Sequence, residues 1–152
     1  MSPISWFFLL LTACSLYNCG TVWMTQRVSY PLFRLVGSSE FVAYDWRYFL
    51  NIIPVVIIPA FLVMIGSLAF LGIHPHRIPT WALLVNAIFG LVGLVVTLGL
   101  EIPRHIRLQK GGKSDFVIQE LIRYNWLRTL AFTGHPLLMV WLLTVAFAPA
   151  GT

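Results

Sequence analysis

Acidic side chains are scarce: five Asp and Glu stand among 152 residues, and charged residues of both signs make up only 10% of the chain. A soluble domain carries ~25% charged residues on average. The shortage, together with 59% hydrophobic residues and a mean hydropathy of +0.84, excludes a water-soluble domain and predicts an integral membrane protein. Cysteine is limited to Cys14 and Cys19. On one helix these point ~140° apart and sit ~7–8 Å apart along the axis, too far for a disulfide. No Cys/His cluster has zinc-like spacing, so no metal is expected. There is also no Walker-type loop, nucleophile elbow or dinucleotide fingerprint. Without a ladder of acids inside the apolar runs, and with only four short spans, neither a pump nor a transporter is indicated.

What is present is apolar sequence in four runs, at about residues 4–26, 52–73, 81–102 and 126–148. Each is long enough to cross a bilayer as a helix. The fold expected is a single-domain, all-α integral membrane four-helix bundle, with helices extended beyond the membrane at loops 1 and 3. Leu11-Thr-Ala-Cys14 has the look of a lipobox. Residues 1–5 hold no Lys or Arg, however, and the apolar stretch before Cys14 is short, so the segment reads as a membrane helix rather than a cleaved leader. Tyr30-Pro31 reads as a turn. Ser38 or Ser39 is expected to cap a helix from Glu40, whose apolar face (Phe41, Tyr44, Tyr48, Phe49) lies at the interface or runs into the second span. Pro54 and Pro59 are expected to kink that span. Gly90, Gly93 and Gly99 allow close helix approach on the third. Gly111-Gly112 ends the third helix. Ser114 caps the fourth, with Asp115 in its first turn, and His135-Pro136 is expected to kink it.

Lys and Arg are unevenly placed. Nine lie in or beside loops 1 and 3 (Arg27, Arg34, Arg47, Arg104, Arg107, Lys110, Lys113, Arg123, Arg128), and Arg77 alone lies elsewhere. The positive-inside rule then puts loops 1 and 3 in the cytoplasm and both termini on the periplasmic side of a bacterial inner membrane. Basic residues that flank apolar spans write orientation, and nucleic acid is not an expected partner. Trp6 and Trp81 fall at the outer boundary and Trp23, Trp46 and Trp126 at the inner one, as in an aromatic belt.

Two places could carry chemistry. Glu101 and His105 are four apart, so they share a face at the inner end of the third span, where Arg104, Arg123 or Arg128 can pair with Glu101. Gln26 and Tyr30 on the first helix, Tyr44 and Asp45 before the second span, and Asn125 and Arg128 on the fourth reach the same depth. The set Gln26, Tyr30, Glu101, Arg104, His105, Asn125 and Arg128 is therefore either a polar pocket able to relay protons or hold a quinone head, or a salt-bridge seal. The second place is His135 beside Gly134, deep in the fourth span. It is a candidate pigment or haem ligand, with the glycine leaving room for a flat ring, or else an interhelical hydrogen-bonder to Asn18 or Asn86.

Gln26-x3-Tyr-Pro-Leu-Phe33, Glu40-Phe-x2-Tyr44, Pro103-x-His105 and Asn125-Trp-Leu-Arg-Thr129 together resemble a group of small bacterial four-span membrane proteins. The last motif is also similar to the anthrone-oxygenase-like membrane family. The resemblance covers roughly residues 20–135. The chain departs from the group's pattern at Glu101, often glutamine there, and at His135. Three functions are expected from all this. The first is a non-catalytic accessory subunit of a larger membrane assembly, respiratory or photosynthetic, packing against other membrane-protein subunits and contacting lipid or quinone. The second, which the resemblance implies, is a cofactor-independent oxygenase-like enzyme acting on an aromatic or quinone-like lipid. The third is a tetrapyrrole-binding protein that uses His135.

Overall fold

A computed structural model describes residues 2–148, and these form an all-α bundle of four long helices with no strand among the described residues. They are α1 (Pro3–Leu35), α2 (Phe41–Phe70), α3 (Thr80–Gly111) and α4 (Asp115–Phe147), and each is long and apolar enough to cross a membrane. At 30–33 residues apiece they measure about 45–50 Å, against a hydrocarbon core of ~30 Å. Each therefore outruns the apolar layer. The helices pack in a ring, α1 on α2, α2 on α3, α3 on α4 and α4 back on α1. Leu, Ile, Val and Trp side chains cover the outside, which suits contact with lipid.

The chain turns less often than its prolines suggest. Tyr30-Pro31 lies inside α1, and the segment from Phe41 runs unbroken into the second span. The reason is a repeated device. A five-residue π turn occupies Thr25–Ser29 in α1, Ile53–Ile57 in α2 and Thr97–Glu101 in α3, and a proline stands two residues after each: Pro31, Pro59 and Pro103. In each case the residue before the proline donates to the carbonyl five back: Tyr30 to Thr25, Ile58 to Ile53, Ile102 to Thr97. The widened turn absorbs a ring that would otherwise meet the carbonyl four residues back. Pro136 sits in α4 without such a turn.

Other ends follow local chemistry. Ser2 caps α1 and Ser114 caps α4, accepting from the Val117 amide. Neither Ser38 nor Ser39 caps α2. Its first carbonyl belongs to Glu40, and Ser39 donates instead to the Glu40 carboxylate at 2.6 Å. Gly112, at φ +79°, takes the left-handed backbone that ends α3. Arg34 bonds Gln119, and Lys113 Nζ donates to the Arg34 and Val36 carbonyls at 2.7 Å, tying loops 1 and 3 into one basic end.

The interior is layered along the bundle axis. At the far end Phe8, Phe70, Ile78, Met139 and Leu142 pack together; in the middle Val22, Ala60, Val63 and Phe132; at the basic end Phe33, Phe41, Leu108, Ile118 and Leu121. Two buried polar layers separate these three apolar ones. Gly93 faces the Phe132 ring, and a Cβ added at Gly90 would lie 3.3 Å from Met64 Cα, so both serve close packing, whereas a Cβ at Gly99 would meet nothing within 4 Å.

Candidate functional site

The polar layer nearer the basic end is built on the three π turns. Tyr30 follows the one in α1, Glu101 closes the one in α3, and the one in α2 supplies Val56 and Ile57 to the wall opposite. His105, one turn beyond Glu101, is buried and hydrogen-bonded at both ring nitrogens. Its Nδ1 lies 2.8 Å from Asp45 Oδ1, and its Nε2 lies 3.3 Å from the Tyr30 hydroxyl. With the Nδ1 proton given to Asp45, Nε2 is the acceptor and Tyr30 the donor. The ring stands in an aromatic box, with Tyr48 stacked at 5.9 Å, Phe49 at 5.6 Å and the Phe33 edge at 6.1 Å. Such walls hold one orientation and keep solvent off.

Beside this chain lies a small cavity of about 20 Å³, lined on its polar side by Tyr30, Glu101, His105 and Arg128. That is room for one or two water molecules. Glu101 is 2% exposed, yet neither carboxyl oxygen has a hydrogen-bond partner among the described residues. The Tyr30 hydroxyl and the Arg128 guanidinium lie close enough to act on it electrostatically, though neither reaches hydrogen-bond geometry, and Arg128 Nε is likewise unpartnered among the described residues. An unmatched buried polar group costs ~1–3 kcal/mol, more if charged. Two such groups of opposite sign thus face one small cavity.

Four of the seven predicted residues, Tyr30, Glu101, His105 and Arg128, thus meet at one cavity. Gln26 and Asn125 do not. Asn125 Nδ2 donates to Gln26 Oε1 at 2.7 Å while Gln26 Nε2 donates to the Ile122 carbonyl at 3.1 Å, an amide pair that fastens α1 to α4. Arg104 points away as well. It donates to the Leu100 carbonyl at 2.8 Å, lies over the Tyr124 ring and pairs with Glu120 at 3.6 Å. The expected Glu101–Arg104 pair is absent because α4 offers Arg104 both an acid and a ring. The ion pairs of the rim run from Arg104 and Arg107 to Glu120. Asp45 had been placed at the right depth but not as the partner of His105. Its signal was that an acid on an apolar helix face must find a donor.

No family model, curated protein or solved structure matches this chain. Its chemistry is therefore read from its own geometry. No group of three or more His, Cys, Asp or Glu converges as a metal site among the described residues.

The second polar layer centres on His135, which is fully buried. Its Nε2 lies 2.7 Å from Ser67 Oγ and 3.0 Å from the Asn86 amide, and Asn86 also reaches Met139 Sδ at 2.9 Å. The interhelical bond expected to Asn86 is present. Asn18 bonds within its own helix, to the Cys14 carbonyl. A tetrapyrrole does not fit here. The ring nitrogen is taken on two sides, and the space beside Gly134 is filled by Phe89, whose ring would come within 2.6 Å of an added Cβ.

Proposed function

We propose that this is a bacterial inner-membrane protein, basic end in the cytoplasm and both termini periplasmic, that carries out proton chemistry on an aromatic or quinone-like lipid. The uneven distribution of Lys and Arg supports the orientation. The observation that carries the function is the buried Asp45–His105–Tyr30 chain, set beside a carboxyl group that has no hydrogen-bond partner among the described residues. Asp45 orients His105, His105 Nε2 takes the phenol proton, and Tyr30 takes a proton from the substrate ring. Positioned acid–base groups of this kind contribute ~10²–10⁴-fold. The oxygenase-like reaction implied by the resemblance balances without a resident cofactor. An activated ring CH₂ loses a proton, its carbanion adds to O₂, and the resulting hydroperoxide loses water: R₂CH₂ + O₂ → R₂C=O + H₂O.

The test is turnover of anthrone to anthraquinone in air by the protein in phospholipid nanodiscs, read by mass spectrometry against protein-free nanodiscs. Product above that background is expected from the intact protein and is lost in His105→Ala at unchanged helical content. Unchanged product in that variant, or none above background from the intact protein, overturns the reading.

A second reading, an accessory subunit of a respiratory or photosynthetic complex, is favoured by aromatic pairs at both ends of the bundle. Trp81 with Trp141 stand 5.5 Å apart and Trp23 with Trp126 5.6 Å, all partly or largely exposed. Mild-detergent extraction of the native membrane tests it: a lone 17.2 kDa species rules it out.

A further inference from the structure

We propose that the cavity at Glu101 is the polar end of a ligand site reached from within the bilayer through the seam between α2 and α3, and that Glu101 accepts a hydrogen bond from a ring hydroxyl of the occupant. This rests on the lipid-acting role proposed above and adds the route and the chemical handle.

The walls of the cavity define the route. α2 and α3 supply eight of its ten lining residues; α1 gives only Tyr30 and α4 only Arg128. The wall is graded. Phe49, Ile52, Ile57 and Ile102 are half-buried and apolar, whereas Tyr30, Glu101, His105 and Arg128 are almost wholly buried and polar. A lipid with a polar head would meet those surfaces in that order. At about 20 Å³ the closed cavity is far smaller than a ring, so the apolar residues must part to admit one. Both sides of the seam carry a π turn, Ile53–Ile57 in α2 and Thr97–Glu101 in α3. These are the segments of an otherwise regular helix pair best able to change register.

The polar atoms define the handle. Tyr30 is committed to His105, His105 to Asp45, and the Thr97 hydroxyl to the Gly93 carbonyl at 2.8 Å. Among the cavity's described lining residues, the Glu101 carboxyl oxygens, as acceptors, and Arg128 Nε, as donor, are left over. Their complement is a neutral group that donates one hydrogen bond and accepts another, which a ring hydroxyl beside a ring oxygen does. An anionic head would face a carboxyl group, and a methoxy group could not donate.

The experiment is anaerobic binding, where no turnover can occur, of 2-decyl-1,4-naphthoquinol and 2-decyl-1,4-dimethoxynaphthalene to the protein in nanodiscs, followed by ligand fluorescence in a stopped-flow instrument. The naphthoquinol is expected to bind at least about tenfold more tightly, since a site built for a hydroxyl rejects an analogue lacking it. Glu101→Leu should erase that preference and Glu101→Gln, which keeps one acceptor oxygen, should retain part of it. Should Glu101→Leu fail to fold, Glu101→Gln decides. Ile102→Trp should slow association about tenfold, a blocked-gate effect on rate, and leave the preference intact. Equal binding of the two probes, or an undiminished preference in either Glu101 variant, overturns the handle. An unslowed association in Ile102→Trp overturns the route. Selective binding without turnover in air would contradict the proton-chemistry reading alone, whereas turnover with an undiminished preference in both Glu101 variants would contradict this one alone.

Discussion

Two buried histidines, one in each polar layer, divide the interior of the bundle. His135 is surrounded by neutral groups, Ser67, Asn86 and Met139, on α2, α3 and its own helix, with its Nδ1 and the Asn86 Oδ1 left without a partner among the described residues. His105 is bonded to an acid and a phenol on two other helices, and sits one turn from a second acid with no partner. The first environment lies in regular helix, the second among π turns. Neutral, mutually bonded polar groups bind membrane helices together. Ionisable groups gathered around a cavity, held where the backbone is irregular, make a bundle less stable than it could be and persist where chemistry requires them. Burial alone does not separate a structural histidine from a chemical one; the state of its neighbours does.

The comparison breaks most sharply on turnover. His105→Ala should lower it by about 10²–10⁴ per folded molecule, while His135→Leu should leave it within about twofold, the range of surface-like effects on rate. Equal losses in the two variants would erase the distinction. Stability should show the reverse. His135→Leu leaves Ser67 with only the Val63 carbonyl and Asn86 with only Met139 Sδ, and is expected to cost ~0.5–1.5 kcal/mol per lost bond in reversible unfolding in mixed micelles. Between the two layers, Gly93→Ala places a Cβ 2.4 Å from the Phe132 ring, which is fully buried and has no room to swing. Overpacking of this kind costs ~1–3 kcal/mol and should not alter ligand preference. The rim should matter least: Glu120→Ala removes a half-buried pair with Arg104 and a pair with the exposed Arg107, and should cost about 1 kcal/mol, less at high salt.

How much of this was legible depended on whether depth or direction was asked for. Hydropathy places residues along the membrane normal, so the four helices, the polar level at Glu101 and an asparagine partner for His135, Asn18 or Asn86, could be read from the chain. Azimuth could not. Asp45 meets His105 from 60 residues away, and Arg104 turns toward Glu120 rather than Glu101 because of what α4 presents there. Proline misled in one place. Tyr30-Pro31 reads as a turn, but a π turn ahead of it lets α1 continue to Leu35 and carries Tyr30 under His105. The signal available was three prolines, Pro31, Pro59 and Pro103, inside three helices.

The central claim is that the layer at Glu101 is a site and not a seal. Unfolding of Glu101→Gln in mixed micelles beside the intact protein tests it without any substrate. A carboxyl group with no partner has little to lose, so the variant should match the intact protein within about 0.5 kcal/mol or exceed it. A loss of ~3–5 kcal/mol, the signature of a broken buried ion pair, would show that Glu101 holds the bundle shut and would contradict the account.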